Sequence, residues 1–123
     1  MPVVLKIDPR RQLVYSAFYG KITDSELLEH RSRIAIEPDF RSHFSEIVDF
    51  SAVTEAEVSR QTIASLAANP SLYDASALHI VVVPDDSLFE LVSIFKQLAS
   101  SSRPNLFAVR SREEAYQILA KPK

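Results

Sequence analysis

The chain has 123 residues, 46% of them apolar, with 14 basic and 16 acidic residues and a formal net charge of −2. That is enough chain for one core and too little for two, so residues 1–123 read as a single domain with a loose tail at about 121–123. One glycine, Gly20, and no cysteine exclude a G-x-G-x-x-G dinucleotide turn, a G-x-x-x-x-G-K-[ST] phosphate loop, a disulfide frame and all thiolate chemistry.

Val3 to Ile7 and Leu13 to Tyr19 are β-rich runs separated by the polar turn Asp8-Pro9-Arg10-Arg11-Gln12. They predict an opening antiparallel hairpin. Gly20 is expected to close the second strand, where a permissive backbone is useful. Thr23-Asp24-Ser25-Glu26 is a capping-box pattern, with Thr23 as N-cap and Glu26 reaching back. The first helix follows, with Leu27, Leu28, Ile34 and Ala35 on one face and Arg31 in the middle of that apolar arc. Two readings of Arg31 are open: it snorkels past the helix edge, or it pairs with a carboxylate of the sheet. The helix should stop before Pro38, since the residue preceding proline is pushed out of the α region.

Ile47-Val48-Asp49-Phe50 predicts a third strand. Ser59 is the best N-cap for a second helix carrying Ile63, Leu66 and Ala67 on one face and ending at Asn69-Pro70. Leu78 to Val83 is the strongest strand and apolar on both faces, so it should lie inside the sheet. Asp85-Asp86-Ser87 starts a third helix running to about Ala99. Asn105 to Arg110 is a fifth strand, and Ser111-x-x-Glu114 is a second capping box opening a last helix through Tyr116, Ile118 and Leu119.

The order is therefore β-β-α-β-α-β-α-β-α. Strands separated by helices imply a parallel sheet with right-handed crossovers, and the first strand joins antiparallel through its hairpin. The fold class is α/β with a mixed five-stranded sheet. In such sheets ligands and partners meet the loops at the carboxyl ends of the strands. Here those loops are expected to carry Lys21 and Thr23, the stretch from Asp49 to Ser59, then Pro84 to Ser87, then Arg110 and Ser111.

Asp49-Phe50-Ser51-Ala52-Val53-Thr54 resembles the end of the third strand in STAS domains, the anti-sigma-factor-antagonist fold. Their pattern is Asp-Leu-Ser-Gly-Val-Thr, two variable residues, then Asp-Ser-Ser-Gly-Leu. Laid on without gaps, the second serine of the latter motif falls on Ser59. The nearest likeness is to small stand-alone SpoIIAA-like bacterial proteins, through the opening hairpin, the Thr-capped helix, Pro38-Asp39-Phe40 and Val48-Asp49. The resemblance implies a STAS-like fold over nearly the whole chain and a non-enzymatic role in regulatory protein–protein contact. It also implies an anti-sigma factor or kinase as partner and Ser59 as the phosphorylated residue. A phosphate at a helix N-terminus meets the positive end of the dipole, and the same charge can block docking. Where the family has Asp-Ser-Ser-Gly-Leu, this chain has Glu57-Val58-Ser59-Arg60-Gln61. The partner surface expected on this basis comprises Asp49, Ser51, Thr54, Glu57, Ser59, Asp85, Asp86 and Ser87.

Other chemistries have weaker support. His30, His43 and His79 all fall outside the expected edge, and there is no G-x-S-x-G elbow, so a Ser-His-Asp hydrolase is not expected. Asp49, Asp85 and Asp86, with Glu55 or Glu57, could form an oxygen site for a hard cation, but acids after a strand and before a helix are better read as caps. No metal and no cofactor is expected. Charges at Lys6 and Asp8 precede any apolar stretch long enough for a signal peptide, and no run approaches the ~18 apolar residues of a membrane span. A cytoplasmic protein without membrane insertion is expected. The charges are well mixed, and without a basic stripe no nucleic-acid partner is expected.

The third helix is apolar over a wide arc through Leu88, Phe89, Leu91, Val92, Ile94, Phe95, Leu98 and Ala99. A stripe of about 100° would suffice for one buried face. The extra width predicts a second contact, within the domain or in a two-fold homodimer. The alternative function is a stand-alone domain of the same fold that binds a small molecule or lipid. That reading predicts a sizeable closed apolar pocket or co-purified lipid, whereas the partner reading predicts a solid core and a binding surface at the carboxyl edge.

Overall fold

Residues 3–121 are described by a computed structural model. The hairpin forms from β1 (Val3–Asp8) and β2 (Leu13–Thr23), paired antiparallel from Val3↔Phe18 to Asp8↔Leu13. The remaining elements are α1 (Asp24–Ala35), β3 (Ser45–Glu57), α2 (Arg60–Ala68), β4 (His79–Val82), α3 (Asp86–Leu98), β5 (Leu106–Val109) and α4 (Arg112–Ala120). The sheet order is β1-β2-β3-β4-β5, and every pair after the first is parallel. The element order and mixed sheet read from the sequence are thus those of the structure, with β4 buried at all four positions.

This strand order fixes where the helices go. Each parallel step, β2 to β3 to β4 to β5, moves the same way across the sheet. Right-handed crossovers then place α1, α2 and α3 on one face. That face carries Val14, Phe18, Phe50, Val81, Val83 and Leu106, packed against Ile34 of α1 and Leu88 and Val92 of α3. The other face carries Leu13, Ile47, Ile80, Val82 and Val109 and is covered by α4 through Ala115, Ile118 and Leu119. Alternation along β3 and β4 separates the two sets: 46, 48 and 50 with 79, 81 and 83 face the three helices, and 47, 49, 80 and 82 face α4.

Two expectations change at the end of β2. Gly20 does not close the strand; it sits within it at φ 68°, between register shifts at Ala17/Tyr19 and Gly20/Lys21. The left-handed backbone that glycine tolerates makes a bulge, and pairing resumes to Thr23↔Glu57. Likewise β3 continues through Glu57 rather than ending at Phe50. The stretch from Asp49 to Glu57, expected as a loop, is strand, because β2 continues beside it. Since β4 pairs with β3 only from Glu46 to Asp49, the ends of β2 and β3 project as a two-stranded ribbon.

The caps explain the helix starts. Ser59, Asp85 and Ser111 each accept a hydrogen bond from a backbone N–H three residues on, at 3.1, 2.9 and 3.2 Å. Thr23 is the N-cap of α1 but makes no side-chain cap bond; its hydroxyl donates to the Glu26 carboxylate instead. This side-chain pair stands where the capping box was expected, without that box's bond from the Thr23 side chain to the helix backbone. Helix α1 ends at Ala35, ahead of Pro38, and Asn69 closes α2. Lys121 caps the C-terminus of α4; the remainder of the expected tail lies outside the described residues. Among the described residues no helix is long and apolar enough to cross a membrane.

Candidate functional site

The structure spreads the expected partner surface over several different roles. Ser51, Thr54, Glu57, Ser59, Asp85, Asp86 and Ser87 are exposed at the carboxyl end of the sheet. Asp49 is not: only 4% of the residue is accessible, because position 49 alternates toward α4. Its carboxylate accepts from Tyr15 Oη at 2.7 Å, from Ser51 N–H at 2.8 Å and from Ser51 Oγ at 2.5 Å, with Arg112 Nε at 3.6 Å. Burial first, then the Asp49 contact, pushes the Tyr15 hydroxyl up to about 12. Asp49 is therefore occupied within the chain and not offered to a partner.

Ser51, Glu57, Ser59, Asp85 and Asp86 are also engaged within the chain. Glu57 pairs with Lys21 at 2.9 Å. Asp85 caps α3, and Asp86 pairs with Arg110 at 2.7 Å while the guanidinium lies 3.9 Å from the Phe89 ring centroid. Ser59 N–H and Oγ donate to the two oxygens of Asp24, at 2.9 and 3.0 Å. These bonds, the backbone one first, hold the Asp24 carboxyl below its ordinary value. Ser59 thus clasps the start of α2 to the start of α1. Among the described residues no group of three or more histidines and carboxylates could hold a metal ion; the aspartates considered for one have separate partners.

A different site lies beneath the three helices. A partly open cavity of about 160 Å³ has Val48, Phe50, Val81 and Leu106 as its sheet floor. Leu27 and Ile34 of α1, Ile63 and Leu66 of α2, and Leu88, Leu91, Val92 and Phe95 of α3 form its walls. This supplies the second contact that the wide apolar arc of α3 called for: it meets the sheet, α2 and the cavity, leaving Leu98 54% exposed.

Polar groups gather where the parallel strands begin. Glu46 opens β3, His79 opens β4, and the two are register partners. His79 Nδ1 lies 2.9 Å from Glu46 Oε1, and Tyr73 Oη donates to Glu46 Oε2 at 3.0 Å. The Glu46 side chain is 13% exposed, and it lines the cavity. Burial would raise its pKa; the hydrogen bond and charge of His79, with His30 and Tyr73, outweigh this and hold the carboxyl below its ordinary value. Burial, and secondarily Glu46, pushes the Tyr73 hydroxyl far up. His30 lies 2.6 Å through Nε2 from Ser16 Oγ, and burial, helped by Arg33, lowers its pKa.

Two guanidiniums complete the cavity lining. Arg31 donates from Nη2 to the Pro70 carbonyl at 3.1 Å in an exposed position, and it lines the cavity; of the two sequence readings, pairing with a carboxylate of the sheet does not hold among the described residues. Its Nε is buried without a partner there, as is His79 Nε2. Arg103 lies 5.2 Å from the Phe95 ring centroid. Burial, and the nearby charge of Arg31, lower its pKa, opposed by Glu46.

Sequence reasoning passed over Glu46, Tyr73 and Arg103, and set His30 and His79 aside because they lie away from the carboxyl edge. The available signal was alternation. Glu46 precedes Val48 and Phe50 by even steps, and His79 precedes Val81 and Val83 likewise, which puts a carboxylate and an imidazole on the helix-covered face. No protein-family model and no curated protein matches the chain.

Proposed function

We propose that this chain is a non-enzymatic binding domain whose cavity takes a small, largely apolar molecule with a polar end. The observation that carries this is the cavity of about 160 Å³ between α1, α2, α3 and the sheet, apolar along its walls and polar where β3 and β4 begin. Ligand pockets are generally lined by apolar side chains with a few placed polar groups that fix orientation. The pocket expected from the sequence is a closed one and this cavity is partly open; a solid core would have favoured the partner reading instead. The test is titration with ethylbenzene, followed by methyl NMR of Ile63, Leu66, Leu91 and Val92. Saturable shifts that disappear in Val92→Phe are expected; shifts that stay linear with concentration overturn the reading.

A second reading, regulatory protein contact as the STAS resemblance implies, is favoured by the ribbon. Beyond Asp49 the β3 strand is paired with β2 and not with β4, so its far edge could accept a partner's strand. Ser59 follows the last pair of this ribbon, Thr23↔Glu57, by two residues. A pull-down from native lysate with wild type and Ser59→Asp tests it: a partner whose capture depends on that change supports it, and an identical set from both removes the switch.

A further inference from the structure

We propose that the cavity's ligand is an amphipathic monoanion, an aliphatic or aromatic carboxylate of about six to eight carbons, its carboxylate held by Arg31 and Arg103. This rests on the ligand reading above and specifies its chemistry. Size sets the first limit. The cavity volume of about 160 Å³ is close to that of engineered apolar cavities of about 150 Å³ that bind benzene. A longer tail would have to leave by the open side.

Charge sets the second limit. Histidines and the neutral Tyr73 apart, the ionisable residues lining the cavity are Arg31, Arg103 and Glu46, two positive against one negative. Glu46 already receives Tyr73 and His79. Arg31 and Arg103 differ from most other arginines of the chain; Arg33 also has a buried unpartnered nitrogen among the described residues, Nη1, but it does not line the cavity. Arg11, Arg60, Arg110 and Arg112 each lie within ion-pair distance of a carboxylate. Arg31 and Arg103 pair with none among the described residues. Arg31 is satisfied at one nitrogen by a carbonyl, and its buried Nε–H has no acceptor among those residues. A buried guanidinium donor without an acceptor is costly. A carboxylate suits it, because the planar fork can give two parallel N–H bonds to one head group. The apolar walls of α2 and α3 then receive the tail.

The test is calorimetric titration of the full chain at pH 7 with octanoate, 1-octanol and octylamine, which share a tail and differ in head charge. Octanoate should bind about tenfold or more tighter than 1-octanol, the equivalent of one charge-assisted hydrogen bond. Arg31→Met and Arg103→Met should each remove most of that preference and leave 1-octanol binding within about twofold. Glu46→Gln takes away the lining's negative charge and should tighten octanoate; it keeps the proposal falsifiable if an arginine variant fails to fold. Equal binding of octanoate and 1-octanol, or tighter octylamine, overturns the proposal and leaves the cavity reading standing. Absence of saturable binding by all three overturns the cavity reading with it.

Discussion

Glu46→Gln is the most informative single change for the buried polar cluster. The amide keeps the shape of the side chain and removes its charge. Wild-type Glu46 accepts two hydrogen bonds, from His79 Nδ1 at 2.9 Å and Tyr73 Oη at 3.0 Å, and His79 is 3% exposed. Hydrogen bonds to charged groups contribute about 1.5–3 kcal/mol and neutral ones about 0.5–1.5, so two bonds lose roughly 2 kcal/mol in total. Relief of the buried carboxylate's desolvation offsets part of this, leaving an expected loss of about 1–2 kcal/mol at pH 7. Urea unfolding with an m-value of about 1.5–2 kcal/mol/M should then show a midpoint lower by roughly 0.5–1 M. The pH dependence is the sharper check. The Glu46 carboxyl is held below its ordinary value when folded, so the folded state binds fewer protons. Its stabilisation is complete above the unfolded value of about 4.3 and is lost as pH falls through the lower folded value. Glutamine does not titrate, so the gap between wild type and variant should close over that acid range. A variant as stable as wild type at pH 7, with no pH-dependent gap, would refute the reasoning by showing that desolvation outweighs both partners.

Other consequences follow from the same contacts. Asp49→Ala leaves three donated hydrogen bonds without an acceptor and should cost about 2–4 kcal/mol by denaturant titration; a loss below ~0.5 kcal/mol would restore it to the accessible surface. Gly20→Ala meets no atom within 4 Å but must hold φ 68°, so a cost of about 1–2 kcal/mol is expected from backbone conformation alone, measured as a shift in Tm. Ser59→Ala removes an N-cap and the hydroxyl bond to Asp24 while keeping the backbone N–H bond, and should destabilise by about 1 kcal/mol. His30 has its folded pKa lowered by burial; its stabilisation is therefore complete above about pH 6.5 and lost as pH falls through the folded value. Urea midpoints between pH 7 and 5 should decline less steeply in His30→Gln than in wild type, and parallel curves would contradict this.

Much of the architecture is a local property of the chain. Ser59, Asp85 and Ser111 could be read as caps because an N-cap bond closes over three residues. The order of strands and helices follows from periodicities of two and 3.6, and the direction of the sheet follows from the lengths of the connections. Gly20 was legible as a site of special backbone but not as a bulge. Whether a strand stops or continues past a glycine depends on its neighbour, here β3, whose pairing carries β2 to Thr23.

The candidate cavity was not legible in the same way, since its members are far apart in sequence. Tyr73 reaches Glu46 across 27 positions and His79 reaches it across 33. Arg31 belongs to α1 and Arg103 to the loop after α3. Alternation could place Glu46 and His79 on one face, but only the packing of α1, α2 and α3 over that face decides whether the space above them is filled or open. The sequence by itself determined the α/β order, the helix starts and which strand is fully buried, because each depends on residues within a few positions of one another. Tertiary structure alone decided that Asp49 is buried, that β2 and β3 run on as a ribbon, and that two arginines face an apolar cavity. Those outcomes depend on how separate elements meet, and no local pattern carries that information.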